Sequence, residues 1–173
     1  MKKIIAIIAV LCMVFSLASC KMAEDVVDST LNVVPKSKVF EKDGFSIELT
    51  TDFISTEMSG ESYSMVVSDG EVSLMTIKSD LSETALADYT AKQYAEYFRD
   101  IMAQNESISP TEVKDVEGIP VFEYASGEDS SIKAITAIYK SGGQFWVALF
   151  TIENEKYDER YSDIIGYAKT VKC

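Results

Sequence analysis

A cysteine at the end of an uncharged hydrophobic run is the residue of this chain best placed for chemistry. Lys2 and Lys3 precede fifteen uncharged residues, 4–18, and the small residue Ser19 leads directly into Cys20. A basic start, a short apolar stretch and a small-residue cleavage site are typical of a secretory signal peptide, which is removed from the mature protein. The sequence therefore predicts an exported protein, with the Cys20 thiol close to the site of processing.

The run Leu17-Ala18-Ser19-Cys20 resembles the lipobox of bacterial lipoproteins. The resemblance implies that residues 1–19 are the signal peptide, that Cys20 receives a thioether-linked diacylglycerol, and that the mature protein begins there. Two acyl chains would then hold it on the extracytoplasmic face of the cell membrane, since each buried methylene contributes about 0.8 kcal/mol. Ordinary secretion and an uncleaved membrane helix stay open as alternatives. The helix is disfavoured because fifteen residues span about 22 Å, less than the roughly 30 Å hydrocarbon core.

The composition limits the chemistry left to the exported domain. The chain has no histidine, which excludes Ser-His-Asp and Cys-His catalysis and the usual His-containing zinc sites. Cys12 is expected to leave with the signal peptide and Cys20 to be alkylated, so we expect Cys173 to have no intramolecular partner and to be either idle or paired between molecules. The sequence also lacks a phosphate loop, a dinucleotide-binding fingerprint, a nucleophile elbow and a calcium loop. We therefore expect no catalytic residue, cofactor or metal ligand, and a protein that is not an enzyme.

The net charge restricts the partners of the mature chain. The formal charge of −12 becomes −14 when residues 1–19, which carry two lysines and no acid, are removed. Nucleic-acid binding requires clustered positive charge, and an acidic domain is repelled by anionic lipid. The acidity favours a solvated, aggregation-resistant surface, and a cationic partner stays open as the alternative.

Acidic pairs and a tryptophan are the remaining candidates for binding. The carboxylates of Glu128-Asp129 and Asp158-Glu159 are adjacent and could bind a divalent cation weakly, but adjacent surface carboxylates usually bind nothing specific, so a specific cation site is the less favoured interpretation. Trp146 lies in the most apolar segment, which favours a core position over a ligand platform.

Residues 20–38 are predicted to form the lipidated N-terminus and a tether spanning roughly 20–25 Å. The folded domain is expected over 39–173. It opens with Asp43-Gly44 between two alternating segments, which predicts a tight type I′ hairpin. Further strands are predicted at 63–67, 72–77, 112–116, 119–125, 132–139 and 144–152. The last strand is apolar on both faces and therefore belongs in the middle of a sheet.

Two amphipathic helices complete the predicted domain. Apolar residues at spacings of three and four predict a helix over 83–104, with Ser82 or Thr84 as its N-cap and its tyrosines as packing residues with hydroxyls at the rim. A final helix follows, and its apolar stripe consists of Tyr157, Tyr161, Ile164, Ile165, Ala168 and Val171. Acidic residues crowd its N-terminus, namely Glu153, Glu155, Asp158 and Glu159. We interpret these acids as capping chemistry favoured by the helix dipole. The fold class is therefore α+β, with a central antiparallel sheet covered by helices.

This order of elements resembles PsbP-like domains over about residues 39–173. Gly44-Phe45-Ser46-Ile47-Glu48-Leu49 is similar to the opening motif of that family, and the mid-chain helix, the Gly118-Ile119-Pro120 turn, the Gly-Gly-Gln-Phe-Trp run at 142–146 and the C-terminal helix follow in the same order. The resemblance implies an α/β/α sandwich, shared by the photosystem extrinsic protein and a GTPase-binding nuclear-transport factor, which both work by docking onto a partner. Histidine ligands of some members have no counterpart here, so no functional residue transfers.

Together these features predict a non-enzymatic docking or accessory lipoprotein, attached to the membrane through the lipid on Cys20, with an unidentified envelope protein as its partner. The alternative is a receptor for a small ligand or a cation, which the nine tyrosines and the acidity favour. A carboxylate-based enzyme such as a glycosidase is a third hypothesis, but no pair of acids facing each other across a cleft is visible in the sequence.

Overall fold

Two antiparallel sheets and two helices make up the part of the chain that the computed structural model describes, residues 37–56, 63–126 and 130–173. The predicted signal peptide, Cys20 and the tether as far as residue 36 lie outside these residues. Within them the strands are β1 (Ser37–Lys42), β2 (Phe45–Thr50), β3 (Ile54–Ser55), β4 (Met65–Ser68), β5 (Val72–Asp80), β6 (Lys114–Val116), β7 (Ile119–Ser126), β8 (Ile132–Ser141) and β9 (Gln144–Glu153). The helices are α1 (Ala91–Met102) and α2 (Tyr157–Lys169), the second preceded by a 3-10 turn at Asn154–Lys156.

The first two strands form the predicted hairpin. Asp43 and Gly44 have φ angles of 55° and 90°, so both central residues of the turn are left-handed, as a type I′ turn requires. The hairpin is a separate two-stranded sheet and does not join the central sheet. The free edge of β2 is instead closed by the C-terminus, because Ser46 and Lys172 exchange backbone hydrogen bonds of 2.8 and 2.9 Å.

The central sheet has seven antiparallel strands in the order β3-β4-β5-β9-β8-β7-β6. The most apolar strand, β9, occupies the middle position, and Trp146 on it is 1% exposed, so both sequence predictions are confirmed. The two edge strands have only two and three residues. Such short edges offer little backbone for pairing with another chain.

Each face of the central sheet is covered by different elements. The hairpin and α2 pack on one face, where Phe45 contacts Trp146 at 5.3 Å between ring centroids. Helix α1 packs on the other face, where Tyr94 stacks on Phe145 at 4.2 Å. The expected sheet with helices on both sides is therefore confirmed, with the hairpin sharing one side.

The predicted start of the first helix was wrong. Helix α1 begins at Ala91, and Thr90 is its N-cap: the Thr90 hydroxyl accepts a hydrogen bond from the Gln93 backbone N–H at 3.2 Å, and the Gln93 side chain accepts one from the Thr90 N–H at 2.8 Å. Ser82 and Thr84 do not cap the helix. The Ser82 hydroxyl donates to the Asp80 carboxylate, and the Thr84 hydroxyl donates to the Leu81 carbonyl.

Residues 81–90 form successive turns and not a helix, and two contacts with the β8–β9 hairpin explain why. The Lys140 ammonium donates to the carbonyls of Ala87 and Tyr89, both at 2.8 Å, so these carbonyls are used outside a helical ladder. Gly143 also passes so close to Ser82 that a Cβ on the glycine would meet that residue at 3.1 Å. Both contacts come from the β8–β9 hairpin. This hairpin is distant in sequence, so the apolar spacing within 83–104 could not indicate these contacts.

Candidate functional site

The start of α2 brings charged and aromatic side chains together against the central sheet. Glu123 on β7 and Lys133 on β8 both lie on the α2 face of the sheet, and Tyr157 and Tyr161 lie one turn apart on the helix. We call these four half-buried residues the Glu123 corner. The backbone of Glu123 is fixed, because Thr111 receives its N–H at 3.0 Å and donates to its carbonyl at 2.7 Å.

The corner is organised around one short hydrogen bond. The Tyr157 hydroxyl donates to the Glu123 carboxylate at 2.5 Å. The ring centroids of Tyr157 and Tyr161 are 5.5 Å apart. The Lys133 ammonium lies 5.4 Å from the centroid of the Tyr157 ring, close enough for a cation–π interaction, and makes no ion pair with another described residue.

Burial and the neighbouring carboxylate both keep the phenols protonated. Burial, followed by the hydrogen bond to Glu123, raises the pKa of Tyr157 well above that of a free tyrosine. Burial and the negative charge of Glu123 also raise the pKa of Tyr161. Tyr157 is therefore a hydrogen-bond donor at neutral pH and not a base or a nucleophile.

The arrangement offers both polar and apolar groups to a bound ligand. One Glu123 oxygen accepts from Tyr157, no other described residue donates a hydrogen bond to this carboxylate, and the tyrosine rings offer an apolar surface. In the described residues no three histidine, cysteine, aspartate or glutamate side chains are placed to hold a metal ion.

A second charged group fastens the same helix to the sheet. Arg160 contacts Asp69 at 2.8 Å and Glu71 at 2.5 Å, both in the turn between β4 and β5, and Asp163 at 3.3 Å. The Asp69 side chain is only 7% exposed and also accepts two backbone hydrogen bonds, from Glu71 and Val72. This group holds the start of α2 against the β4–β5 turn.

The other residues singled out from the sequence do not join the corner. Cys20, Glu128 and Asp129 lie outside the described residues. Asp158 and Glu159 are exposed in the first turn of α2, as expected from the helix dipole, but no side chain caps this helix, so the expected capping bond is wrong. Cys173 is exposed as a free thiol.

The tyrosines of α1 are packing residues, as the sequence predicted, with one difference. Tyr94 is 4% exposed, so its hydroxyl is not at the rim; it bonds to the Ser79 hydroxyl at 3.1 Å inside the α1 face. Burial raises the pKa of Tyr94. Tyr89 and Tyr97 are half-buried at the border of the same cluster.

Sequence reasoning did not single out Glu123 or Lys133. Glu123 stands between the buried aromatic residues Phe122 and Tyr124. A charged residue within such an apolar strand is the sequence signal that could have indicated a polar group beneath a helix. The partner on α2 depends on how the helix crosses the sheet, which sequence spacing does not determine.

The sequence matches no family model and no curated protein. A solved structure is similar over most of the chain: the solution structure of cyanobacterial PsbP (CyanoP) from Synechocystis sp. PCC 6803, with a TM-score of 0.58 and 16% identity, covers 84% of this chain and 97% of its own. The fold is PsbP-like.

Two further structures are similar to a lesser degree. LpqN, involved in cell envelope biogenesis of Mycobacterium tuberculosis, has a TM-score of 0.46 and 6% identity, with 80% of this chain and 91% of its own covered. A protein from Bacteroides thetaiotaomicron has a TM-score of 0.45 and 13% identity, with 75% of this chain and 44% of its own covered. The PsbP-like fold therefore rests on CyanoP, and it is the fold alone that this similarity shows. Neither helix of the described PsbP-like domain is long and apolar enough to cross a membrane.

Proposed function

We propose that the chain is an exported lipoprotein, anchored on the extracytoplasmic face of the cell membrane through the lipid on Cys20, whose PsbP-like domain docks onto an envelope partner without catalysing a reaction. The observation that carries this proposal is the run Leu17-Ala18-Ser19-Cys20 after an uncharged stretch. Lipid attachment would leave sixteen residues, 21–36, between the anchor and the first described strand. As a flexible coil they would span about 20–24 Å, enough to hold the domain above the headgroups.

Exposed apolar side chains supply candidate positions for docking. Val39 on β1 is 63% exposed and Ile54 on β3 is 60% exposed, and they are the large hydrophobic residues that the described surface exposes most. Both lie in edge strands, β1 of the hairpin and β3 of the central sheet. The absence of histidine from the chain supports a binding role over acyl-transfer catalysis.

The anchor is tested by fractionating cells that express Cys20→Ala. We expect the variant to leave the membrane fraction or to keep an unprocessed signal peptide, because no thioether can form. Cys173→Ala is the matched control, since it removes the exposed terminal thiol and should leave the protein in the membrane. Quantitative retention of a processed Cys20→Ala protein in the membrane would contradict the anchor.

Docking is tested by placing a photo-crosslinking residue at Val39 or Ile54 in the membrane-bound protein. We expect one discrete crosslinked species from at least one of these positions. Exposed, polar positions in other parts of the surface, Lys92 and Glu106, are the controls and should give none. An equal crosslinking pattern at all four positions, or no species at any, would count against docking through these edges.

A receptor for a small ligand is the alternative, and the Glu123 corner is the observation that favours it. The Glu123 carboxylate, the Lys133 ammonium, which makes no ion pair among the described residues, and two tyrosine rings lie within one half-buried region. Thermal-shift measurements against small ammonium compounds and divalent cations would detect such a ligand. Stabilisation that Glu123→Gln abolishes would support the receptor, and a flat response would remove it.

A further inference from the structure

The free edges of the two sheets differ in how much backbone they offer to another chain. The edge strands of the central sheet, β3 and β6, have two and three residues, whereas β1 of the hairpin has six. The outer edge of β2 is closed by the backbone of Lys172 and by the Thr170 hydroxyl. Strand β1 therefore has the longest edge that no other described strand pairs with.

The outer edge of β1 presents backbone groups that are not used within the described domain. In an antiparallel pair, alternate residues direct their N–H and C=O groups toward the neighbouring strand and away from it. Ser46 and Glu48 of β2 direct theirs away from β1, since they bond to C-terminal residues. Glu41 and Val39 lie opposite these two residues in the register. Their N–H and C=O groups therefore point to the outer edge of β1, where no described residue bonds to them.

The side chains of β1 place two lysines on either side of an aromatic ring. Lys38, Phe40 and Lys42 lie opposite buried residues of β2, on the face that the hairpin turns toward the central sheet. The Lys38 ammonium is 4.6 Å from the centroid of the Phe40 ring. Both lysines are exposed, and neither makes an ion pair with another described residue. Val39 lies exposed on the other face of the strand.

These side chains restrict the kind of strand that the edge can accept. Residues directly opposite each other on neighbouring strands have Cβ atoms about 4.5–5.5 Å apart, so opposite charges favour pairing and like charges oppose it. A strand with an acidic, an apolar and a second acidic residue at alternate positions matches Lys38, Phe40 and Lys42 in either direction. A second copy of β1 centred on Phe40 would instead place Lys38 opposite Lys42, and lysines on an edge discourage such pairing.

We propose that the free edge of β1 accepts an extended segment of the envelope partner as a third strand of the hairpin sheet. The segment carries acidic residues opposite Lys38 and Lys42 and an apolar residue opposite Phe40. This inference rests on the proposed docking function and names its mode: main-chain hydrogen bonds supply affinity, and side chains at alternate positions supply specificity. Ile54, the other exposed apolar position, lies on a strand of two residues, which is too short for this mode.

The test uses the full-length, membrane-bound protein with a photo-crosslinking residue in place of Val39. Glu41→Pro removes the outward N–H of Glu41 and no hydrogen bond of the hairpin, and proline is tolerated where the N–H of an edge strand faces solvent. We expect the crosslinked yield to fall about tenfold, because one backbone hydrogen bond to the added strand is lost. Glu41→Thr removes the same carboxylate but keeps the N–H, so this control should keep the yield.

A charge reversal tests the chemistry of the partner independently of the backbone, and it decides the test if thermal melting shows that Glu41→Pro unfolds the domain. Lys42→Glu is expected to lower the yield about fivefold, because an attractive cross-strand pair becomes repulsive. Lys92→Glu changes the net charge equally at an exposed position of α1 and should leave the yield unchanged. Mass spectrometry of the crosslinked peptide should find the attachment point within a run of acidic, any, apolar, any and acidic residues.

Failure of strand addition and failure of docking give different results. Equal yields for Glu41→Pro and Glu41→Thr, no effect of Lys42→Glu, or crosslinking from Ile54 alone would overturn strand addition and leave docking intact. A crosslinked species of twice the mass of the chain, or a crosslinked peptide without the two acidic residues, would overturn the proposed partner. No crosslinked species from either Val39 or Ile54 would overturn docking, and strand addition with it.

Discussion

The hydrogen bond between Tyr157 and Glu123 is the residue-scale contact that joins α2 to β7. It is short, at 2.5 Å, and its acceptor is a carboxylate, which makes it stronger than a bond between neutral groups. If the domain binds a small ligand at the Glu123 corner, this pair shapes the site. Its contribution to stability is therefore the first quantity to measure.

Tyr157→Phe is expected to lower the free energy of unfolding by about 1–2 kcal/mol, because the half-buried Glu123 carboxylate loses its donor. Urea denaturation of the purified protein measures the change. Tyr161→Phe is the matched control: the Tyr161 hydroxyl has no hydrogen-bond partner in the described residues, so the change should be within about 0.5 kcal/mol. Equal losses in the two variants would show that the hydrogen bond is not the cause.

Alkaline pH should destabilise the protein through the same residue. Burial raises the pKa of Tyr157 in the folded state, whereas a tyrosine in the unfolded chain titrates near pH 10. Above about pH 10 the unfolded state loses a proton that the folded state keeps, so the free energy of unfolding falls as the pH rises. Tyr157→Phe should weaken this dependence between about pH 9 and pH 11, and an unchanged slope would contradict the assignment.

Some residue positions follow from the sequence and others do not. Trp146 was predicted to be a core residue because its strand is apolar on both faces, and it is buried against Phe45. Tyr157 was predicted only as part of the apolar stripe of the final helix. Its hydrogen bond to Glu123 joins residues 34 positions apart, and nothing in the local pattern of either segment indicates the other.

At the scale of elements, the attachment of α2 depends on Arg160 and the β4–β5 turn. Arg160→Met keeps most of the apolar stem but leaves Asp69, whose side chain is 7% exposed, without its cation. We expect the free energy of unfolding to fall by about 2–3 kcal/mol, since an unpaired, nearly buried carboxylate is costly. Chemical denaturation measures this loss.

Arg99→Met is the matched control for the same substitution. The Arg99 side chain is 20% exposed and that of Arg160 is 18% exposed. The partners of Arg99 are much more exposed, however, with Asp100 at 65% and Glu112 at 88%. Its loss should be below about 1 kcal/mol. If Arg99→Met were as destabilising as Arg160→Met, partner burial would not explain the effect.

The boundaries of an element were predictable where the turn beside it contains residues suited to a left-handed backbone. Asp43-Gly44 specifies a hairpin through two left-handed residues, and Glu117-Gly118, with φ angles of 54° and 89°, does the same between β6 and β7. The start of α1 was not predictable from its own segment. Leu86 and Tyr89 continue the helical spacing, but the contact of Lys140 with the carbonyls of Ala87 and Tyr89 is made by a distant hairpin.

At the scale of the whole molecule, the PsbP-like fold follows from the order of elements and the doubly buried β9. The sequence does not predict that the hairpin is separate from the central sheet. Alternating apolar and polar residues are expected in a hairpin whether it forms its own sheet or joins the central one. The C-terminal residues decide it: Lys172 occupies the edge of β2 that a central strand would otherwise use. Function at this scale depends on where the domain is held, and the proposed answer is the lipid on Cys20.

The intact mass of the protein extracted from membranes tests that claim most directly. We predict a chain that begins at Cys20 and carries the added mass of a diacylglycerol, and a Cys173→Ala variant that shows the same modification. A chain that begins at Met1, or one that is cleaved elsewhere and carries no lipid, would contradict the account.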